Sequence, residues 1–89
     1  MDARQSGATL LVGLAFSGLT IDDLVLRCAV LGADFTSREL VALLGGEAPR
    51  SGRDHDVVAQ ALNGCLLAAG VTYQVEDSQR MGLVADLQR

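Results

Sequence analysis

The chain has 89 residues, a length that suits one small domain. Its formal net charge is −4 and all seven basic residues are arginines, a balance that opposes non-specific attraction to nucleic acid or to an anionic membrane. Hydrophobic residues make up 49% of the sequence, more than so small a core can bury. The excess lies either singly over the surface or, as we expect, in an apolar patch that contacts a second copy in a homodimer or another protein partner.

The two cysteines and the longest apolar run bear on cellular location. Cys28 and Cys65 lack the spacing of a metal or redox motif, so we interpret both as core thiols, which are typical of a reducing compartment. The apolar run Ala8–Phe16 is shorter than the roughly 20 residues that span a bilayer. In the residues before it Asp2 offsets Arg4, so they lack the net positive charge of a secretory signal. We therefore expect a cytoplasmic protein without a membrane partner.

Residues 1–19 form an apolar N-terminal segment. From Ala8 to Phe16 the chain is apolar on nearly every side, so periodicity cannot separate a buried helix from a buried strand. We predict a helix that is covered either by the rest of the fold or by a second copy. The candidate partner-binding residues of this segment are Leu11, Leu14 and Phe16.

The sequence next predicts two helix N-termini, and both have nearly the same pattern of residues. Each has a threonine at the N-cap, an acid three residues later and an apolar residue on either side, the pattern of a capping box with a hydrophobic staple. Each helix is then followed by a glycine, which can adopt the left-handed backbone conformation that ends a helix. The caps are Thr20 with Asp23 and Thr36 with Glu39, and the predicted stops are Gly32 and Gly45.

A third, longer helix is predicted after a loop that contains glycine and proline, residues 45–53. Asp54 is its predicted N-cap, and Gly70 is the stop that follows Ala69. The inward stripes expected of the three helices are Ile21, Leu24, Val25, Cys28 and Leu31; Leu40, Leu43 and Leu44; and Val58, Ala61, Leu62, Cys65, Leu66 and Ala69.

After Gly70 the period of the sequence changes from helical to alternating. Val71, Tyr73 and Val75 alternate with polar residues, which is typical of a strand. Met81–Leu87 fits either a return strand, which would complete a hairpin, or a short final helix. The sequence thus predicts one domain over residues 1–89: the N-terminal segment 1–19, a helical core 20–70, and a strand or wing over 71–89. Its fold class is mainly α, with about four helices and a C-terminal β-strand or hairpin.

Two of these stretches resemble the winged helix-turn-helix family. Residues 35–45 (FTSRELVALLG) are similar to its first motif helix, and residues 57–71 are similar to its second helix running into the wing strand. The resemblance covers roughly residues 20–87 and implies a DNA-binding regulator. The recognition face that it implies comprises Arg38, Arg50, Arg53, Gln60 and Asn63.

The chain departs from that family in two respects. The loop between the paired helices is longer than the usual turn of about 3–4 residues. The recognition-like helix also carries Asp54 and Asp56, whose carboxylates repel phosphate. The resemblance is therefore a better guide to the fold than to DNA binding.

No pattern of catalytic, metal-binding or cofactor-binding residues is evident. The single histidine, His55, lies between Asp54 and Asp56, and neighbours in a helix do not face each other, so we interpret the three as solvated residues of a helix start. No second group of metal ligands and no phosphate-loop lysine accompany them. We expect a non-enzymatic regulatory or adaptor module that acts through protein–protein contact and self-associates. The alternative is a winged-helix DNA-binding regulator.

Overall fold

A computed structural model describes residues 3–47 and 52–76. They form four helices, α1 (Ala3–Ser17), α2 (Ile21–Val30), α3 (Ser37–Leu44) and α4 (Gly52–Ala68). Helices α1 and α2 each pack against both α3 and α4. Over these described residues no strand forms, and the mainly helical fold with four helices is confirmed. The predicted return strand or helix over residues 81–87 lies outside the described part of the chain.

The core lies where the four helices meet. The predicted stripe of α3 is confirmed, because Leu40, Leu43 and Leu44 are buried. Along the predicted stripe of α2, two residues are buried and three are partly buried against the core: Leu24 and Cys28, and Ile21, Val25 and Leu31. The stripe of α4 is confirmed in its central part, where four of the predicted residues are buried: Val58, Ala61, Leu62 and Leu66. Cys65 is half-buried, and Ala69, which follows the last residue of α4, is exposed.

Both predicted capping boxes are present. The Thr20 hydroxyl accepts a hydrogen bond from the Asp23 amide at 3.1 Å, and the Thr20 amide donates to the Asp23 carboxylate at 3.2 Å. The same exchange joins Thr36 and Glu39, at 3.1 and 2.9 Å. Each box satisfies amides that have no partner inside the helix, so the sequence correctly located the first residue of α2 and of α3.

Removing either cap should destabilise the fold. We expect Thr20→Ala and Thr36→Ala each to lower the free energy of unfolding by about 0.5–2 kcal/mol, because an amide at the helix start loses its acceptor. Thr72→Ala is the matched control, since Thr72 is exposed and caps no helix. Urea unfolding followed by circular dichroism measures all three variants. Cap variants as stable as the control would show that these hydrogen bonds contribute nothing.

The ends of the helices are closed by glycines in the left-handed region. Gly32 and Gly70 have φ angles of +91° and +75°, as predicted. After α3 the prediction was one residue early, because Gly45 keeps a right-handed φ of −78° and Gly46 has a φ of +98°. The physical reason is that the Gly45 amide still bonds to the Val41 carbonyl, so the helical turn continues through Gly45. The reversal then falls on Gly46, whose amide bonds to Leu43.

Helix α4 begins earlier than the sequence indicated. It starts at Gly52, and Asp54, the predicted N-cap, lies inside its first turn. The prediction of the cap at Asp54 was therefore wrong, although an acid in the first turn still suits the helix dipole.

Helix α1 approaches the end of α3 so closely that one position in it must be glycine. A Cβ added at Gly7 would lie 2.7 Å from the Leu43 carbonyl oxygen and 2.8 Å from the Gly46 nitrogen. Both are main-chain atoms and cannot turn aside as a side chain can. Gly7 therefore sets how near the two helices pack.

None of the described helices alone is long and apolar enough to span a bilayer. Helices α1 and α2 reach that length and composition only together, as a pair bent by 103°.

Candidate functional site

An apolar hollow lies where α1, α2 and α3 meet. It has a volume of about 400 Å³ and is lined by Leu11, Leu14, Ile21, Val41, Leu44 and Gly45, a set that we call the α1–α3 groove. No lining residue is charged. Leu11 is 50% exposed and Val41 is 56% exposed, so two large apolar side chains stand open to solvent beside it.

The groove follows from the composition of α1. That helix is apolar on nearly every side, but only one face can turn toward the core, and Leu10 and Gly13 occupy that face. Leu11 and Leu14, which lie three residues apart, consequently stand on the neighbouring face against α3. On α3, Val41 and Leu44 have the same spacing.

The three candidate partner-binding residues do not form one surface. Leu11 and Leu14 line the α1–α3 groove, as described above. Phe16 is absent from its lining and instead contacts Tyr73, with ring centroids 5.2 Å apart, while remaining 55% exposed. The structure thus brings two of the three residues together and assigns the third to the C-terminal segment.

The C-terminal segment, residues 71–76, lies against α1 and α4. The Asn63 side chain accepts from the Val75 amide at 2.7 Å and donates to the Val75 carbonyl at 3.0 Å. Exchange of both main-chain groups of one residue is the pattern of a hydrogen-bonded strand pair, supplied here by a side chain. Along the segment Val71, Tyr73 and Val75 are more buried than Thr72, Gln74 and Glu76. The predicted alternation is therefore present, although no strand partner is found among the described residues.

A notch in α1 receives Val75. This side chain is 4% exposed, and a Cβ added at Gly13 would lie only 2.4 Å from one of its methyl groups. Leu62 of α4 borders the same position. Because glycine has no side chain, α1 leaves room for the valine, and the segment fills the cleft between α1 and α4.

His55 connects three parts of the fold. Its side chain is fully buried, which corrects the prediction of a solvated helix-start residue. Nδ1 lies 2.7 Å from the Ser6 hydroxyl on α1, and Nε2 lies 2.7 Å from the Glu76 carbonyl oxygen. A carbonyl only accepts, so Nε2 carries the proton; in the neutral imidazole Nδ1 then accepts from Ser6.

The Ser6 hydroxyl and the His55 ring are as close as a nucleophile and its general base, but they lack the access to solvent that such a pair needs. Both side chains are fully buried, so no substrate reaches the hydroxyl in this structure. The sequence missed this pair for two reasons. Ser6 is 49 positions from His55, and helical spacing alone gave no sign that the first turn of α4 is covered by the C-terminal segment.

The predicted recognition face is only partly available. Arg38, Arg53 and Gln60 are exposed, whereas Arg50 lies outside the described residues. Asn63 is half-buried, and its amide holds Val75 through both of its polar atoms. The placement of Asn63 on an open face therefore needs correction: an amide engaged in this way cannot read a base edge.

The cysteines are free in this structure. Cys28 is fully buried, and burial raises the pKa of its thiol to about 11. It therefore stays protonated at neutral pH and is a weak nucleophile. Cys65 is half-buried.

No protein-family model, no curated protein and no solved structure matches this chain.

Proposed function

We propose that this protein is a non-enzymatic interaction module that forms a homodimer through the α1–α3 groove. The observation that carries this proposal is the groove itself, an uncharged hollow bordered by the half-exposed Leu11 and Val41. Burying such a surface against another protein removes apolar area from water, which is favourable and needs no specific chemistry.

Charge favours this surface over others for contact between two copies. Each copy carries a net charge of −4, so carboxylates brought face to face would repel each other. The groove has no charged residue in its lining, so contact there brings no lining carboxylates face to face. In a two-fold dimer the same surface serves both copies, so Leu11 and Val41 of each would enter the hollow of the other.

A charge at the rim of the groove should split the dimer. We expect Leu11→Glu and Val41→Glu each to weaken self-association at least about ten-fold, because a carboxylate would be buried without a partner. Both positions are half-exposed, so the monomer should keep its fold. Val30→Glu is the matched control, because Val30 is 86% exposed and outside the groove lining. Sedimentation over a dilution series measures the mass. A parent protein that is monomeric throughout would refute the proposal.

The alternative is a winged-helix regulator that binds DNA. The exposed Arg38 and Arg53 support it, while the engagement of Asn63 and the net charge of −4 oppose it. Fluorescence anisotropy with a labelled mixed-sequence duplex separates the two functions. Salt-dependent binding that is weakened by Arg53→Ala would favour the regulator, because each phosphate contact adds to the salt slope.

A further inference from the structure

The contacts that hold the C-terminal segment are ones that a segment of another molecule could also make. Asn63 binds the Val75 main chain and His55 binds the Glu76 carbonyl, so three hydrogen bonds join α4 side chains to peptide groups. Recognition of main-chain groups, with pockets for alternate side chains, is how proteins bind extended peptides. The cleft between α1 and α4 is thus a site for an extended chain, and residues 73–76 occupy it.

Two side chains give the cleft its selectivity. Val75 fills the notch above Gly13, and Tyr73, two residues earlier, contacts the ring of Phe16. An occupant therefore needs an aromatic residue and, two positions later, a side chain of valine size. Within the described residues, the sequence that occupies the cleft is the chain's own Tyr73–Gln74–Val75.

The connection to α4 offers a place where the segment can separate. Helix α4 ends at Ala68, and Gly70 follows in the left-handed region with a φ of +75°. Residues 69 and 70 are both exposed, and a Cβ at Gly70 would meet no atom within 4 Å. A change of backbone direction here would break the hydrogen bonds from the Gly70 and Val71 amides to the end of α4, but it would move no buried side chain at residues 69 and 70.

We propose that the α1–α4 cleft of one copy accepts the C-terminal segment of a second copy. An exchanged segment would make the same contacts with Asn63, His55 and Gly13 that it makes within one chain, so the exchange requires no new complementarity. This inference deepens the proposed self-association by naming a second contact between copies. It involves a different face of α1, however, and can be tested with the α1–α3 groove disabled.

Two full-length variants separate the cleft from the segment. Gly13→Ala fills the notch and displaces the chain's own Val75, while alanine also suits the interior of α1. That copy keeps an intact segment but has a closed cleft. Val75→Asp places a charge where the valine is buried, so the second copy has an open cleft but a segment that cannot occupy it. Both carry Leu11→Glu, which weakens association through the groove.

Mixing the two variants tests the proposal. We expect a one-to-one heterodimer by native mass spectrometry and sedimentation, at least about ten-fold tighter than the association of either variant alone. The control pairs the Val75→Asp copy with a copy carrying both Gly13→Ala and Val75→Asp, which should stay monomeric. A mixture that remains monomeric up to about 1 mM, the effective concentration that a short tether provides, would overturn the proposal.

A second variant guards against misfolding of the Val75→Asp copy. Val75→Asn carries no charge and is therefore milder than aspartate, but its amide would still be buried without a partner, so the segment should leave the cleft. A labelled peptide of residues 70–76 (GVTYQVE) serves as the probe for both copies with an open cleft. We expect it to bind them, and Asn63→Ala to weaken that binding at least about five-fold. If the folded Val75→Asn copy binds neither the peptide nor the Gly13→Ala copy, the cleft does not accept a segment from another molecule.

Discussion

Replacing Gly7 with alanine should lower the free energy of unfolding by about 3 kcal/mol, near the upper end for overpacking in a core. The added Cβ would lie 2.7–2.9 Å from three main-chain atoms at the end of α3, those of Leu43, Leu44 and Gly46. Real Cβ atoms do not approach so closely, and a main-chain group cannot adopt another rotamer. Helices α1 and α3 would have to separate, which would weaken the packing of the whole α1 face.

Gly64→Ala is the matched control for this prediction. Gly64 lies in the interior of α4, and a Cβ there would meet no atom within 4 Å. The same substitution should therefore raise the free energy of unfolding by about 0.5–1 kcal/mol, because alanine restricts the unfolded chain more than glycine does. Urea unfolding of both variants shows whether the free energy of unfolding falls for Gly7→Ala and rises for Gly64→Ala. If Gly7→Ala were as stable as the parent, the close approach of α1 to α3 would be wrong.

Replacing His55 with leucine should cost about 1–3 kcal/mol of stability, although leucine fills a similar volume with apolar atoms. The physical reason is that the buried Ser6 hydroxyl and the Glu76 carbonyl would both lose their partner. Leaving a buried polar group unpaired costs about 1–3 kcal/mol. The Glu76 end should open first, so amide exchange at Val75 should accelerate more than amide exchange in α2.

A double substitution shows whether the lost hydrogen bonds cause this effect. Ser6→Ala in the parent should destabilise, because His55 then loses one partner. In the His55→Leu background the same change should be neutral or stabilising, since it removes a hydroxyl that has no partner. Equal effects of Ser6→Ala in both backgrounds, measured by urea unfolding, would mean that Ser6 and His55 do not interact.

Features that depend on a few neighbouring residues could be read from the sequence. The capping boxes at Thr20 and Thr36 each lie within four consecutive residues, and both were predicted correctly. The stripes of α2 and α3 follow from helical spacing and pack against the core as expected, although part of the α2 stripe is only partly buried. The stop after α3 was misplaced by one residue because Gly45 and Gly46 are both glycines, and local rules do not choose between them.

The candidate surfaces were only partly foreseeable. The apolar character of residues 8–16 indicated an interface on α1, but not which of its apolar residues would turn outward. The orientation of α1 depends on its two glycines. The main chain at the end of α3 packs against Gly7, and the Val75 side chain packs against Gly13. Leu11 thereby faces the α1–α3 groove, and Phe16 faces Tyr73.

By itself, then, the sequence determined the helical class, the starts of α2 and α3 and their buried stripes, since capping and amphipathic spacing act over a single turn. Only the tertiary structure decided the roles of His55 and Asn63. Asn63 binds Val75, which lies 12 positions further along the chain, and His55 binds Glu76, which lies 21 positions further along. The local sequence does not show whether a polar side chain on a helix bonds to water or to a peptide group. That depends on how distant segments of the chain pack against the helix.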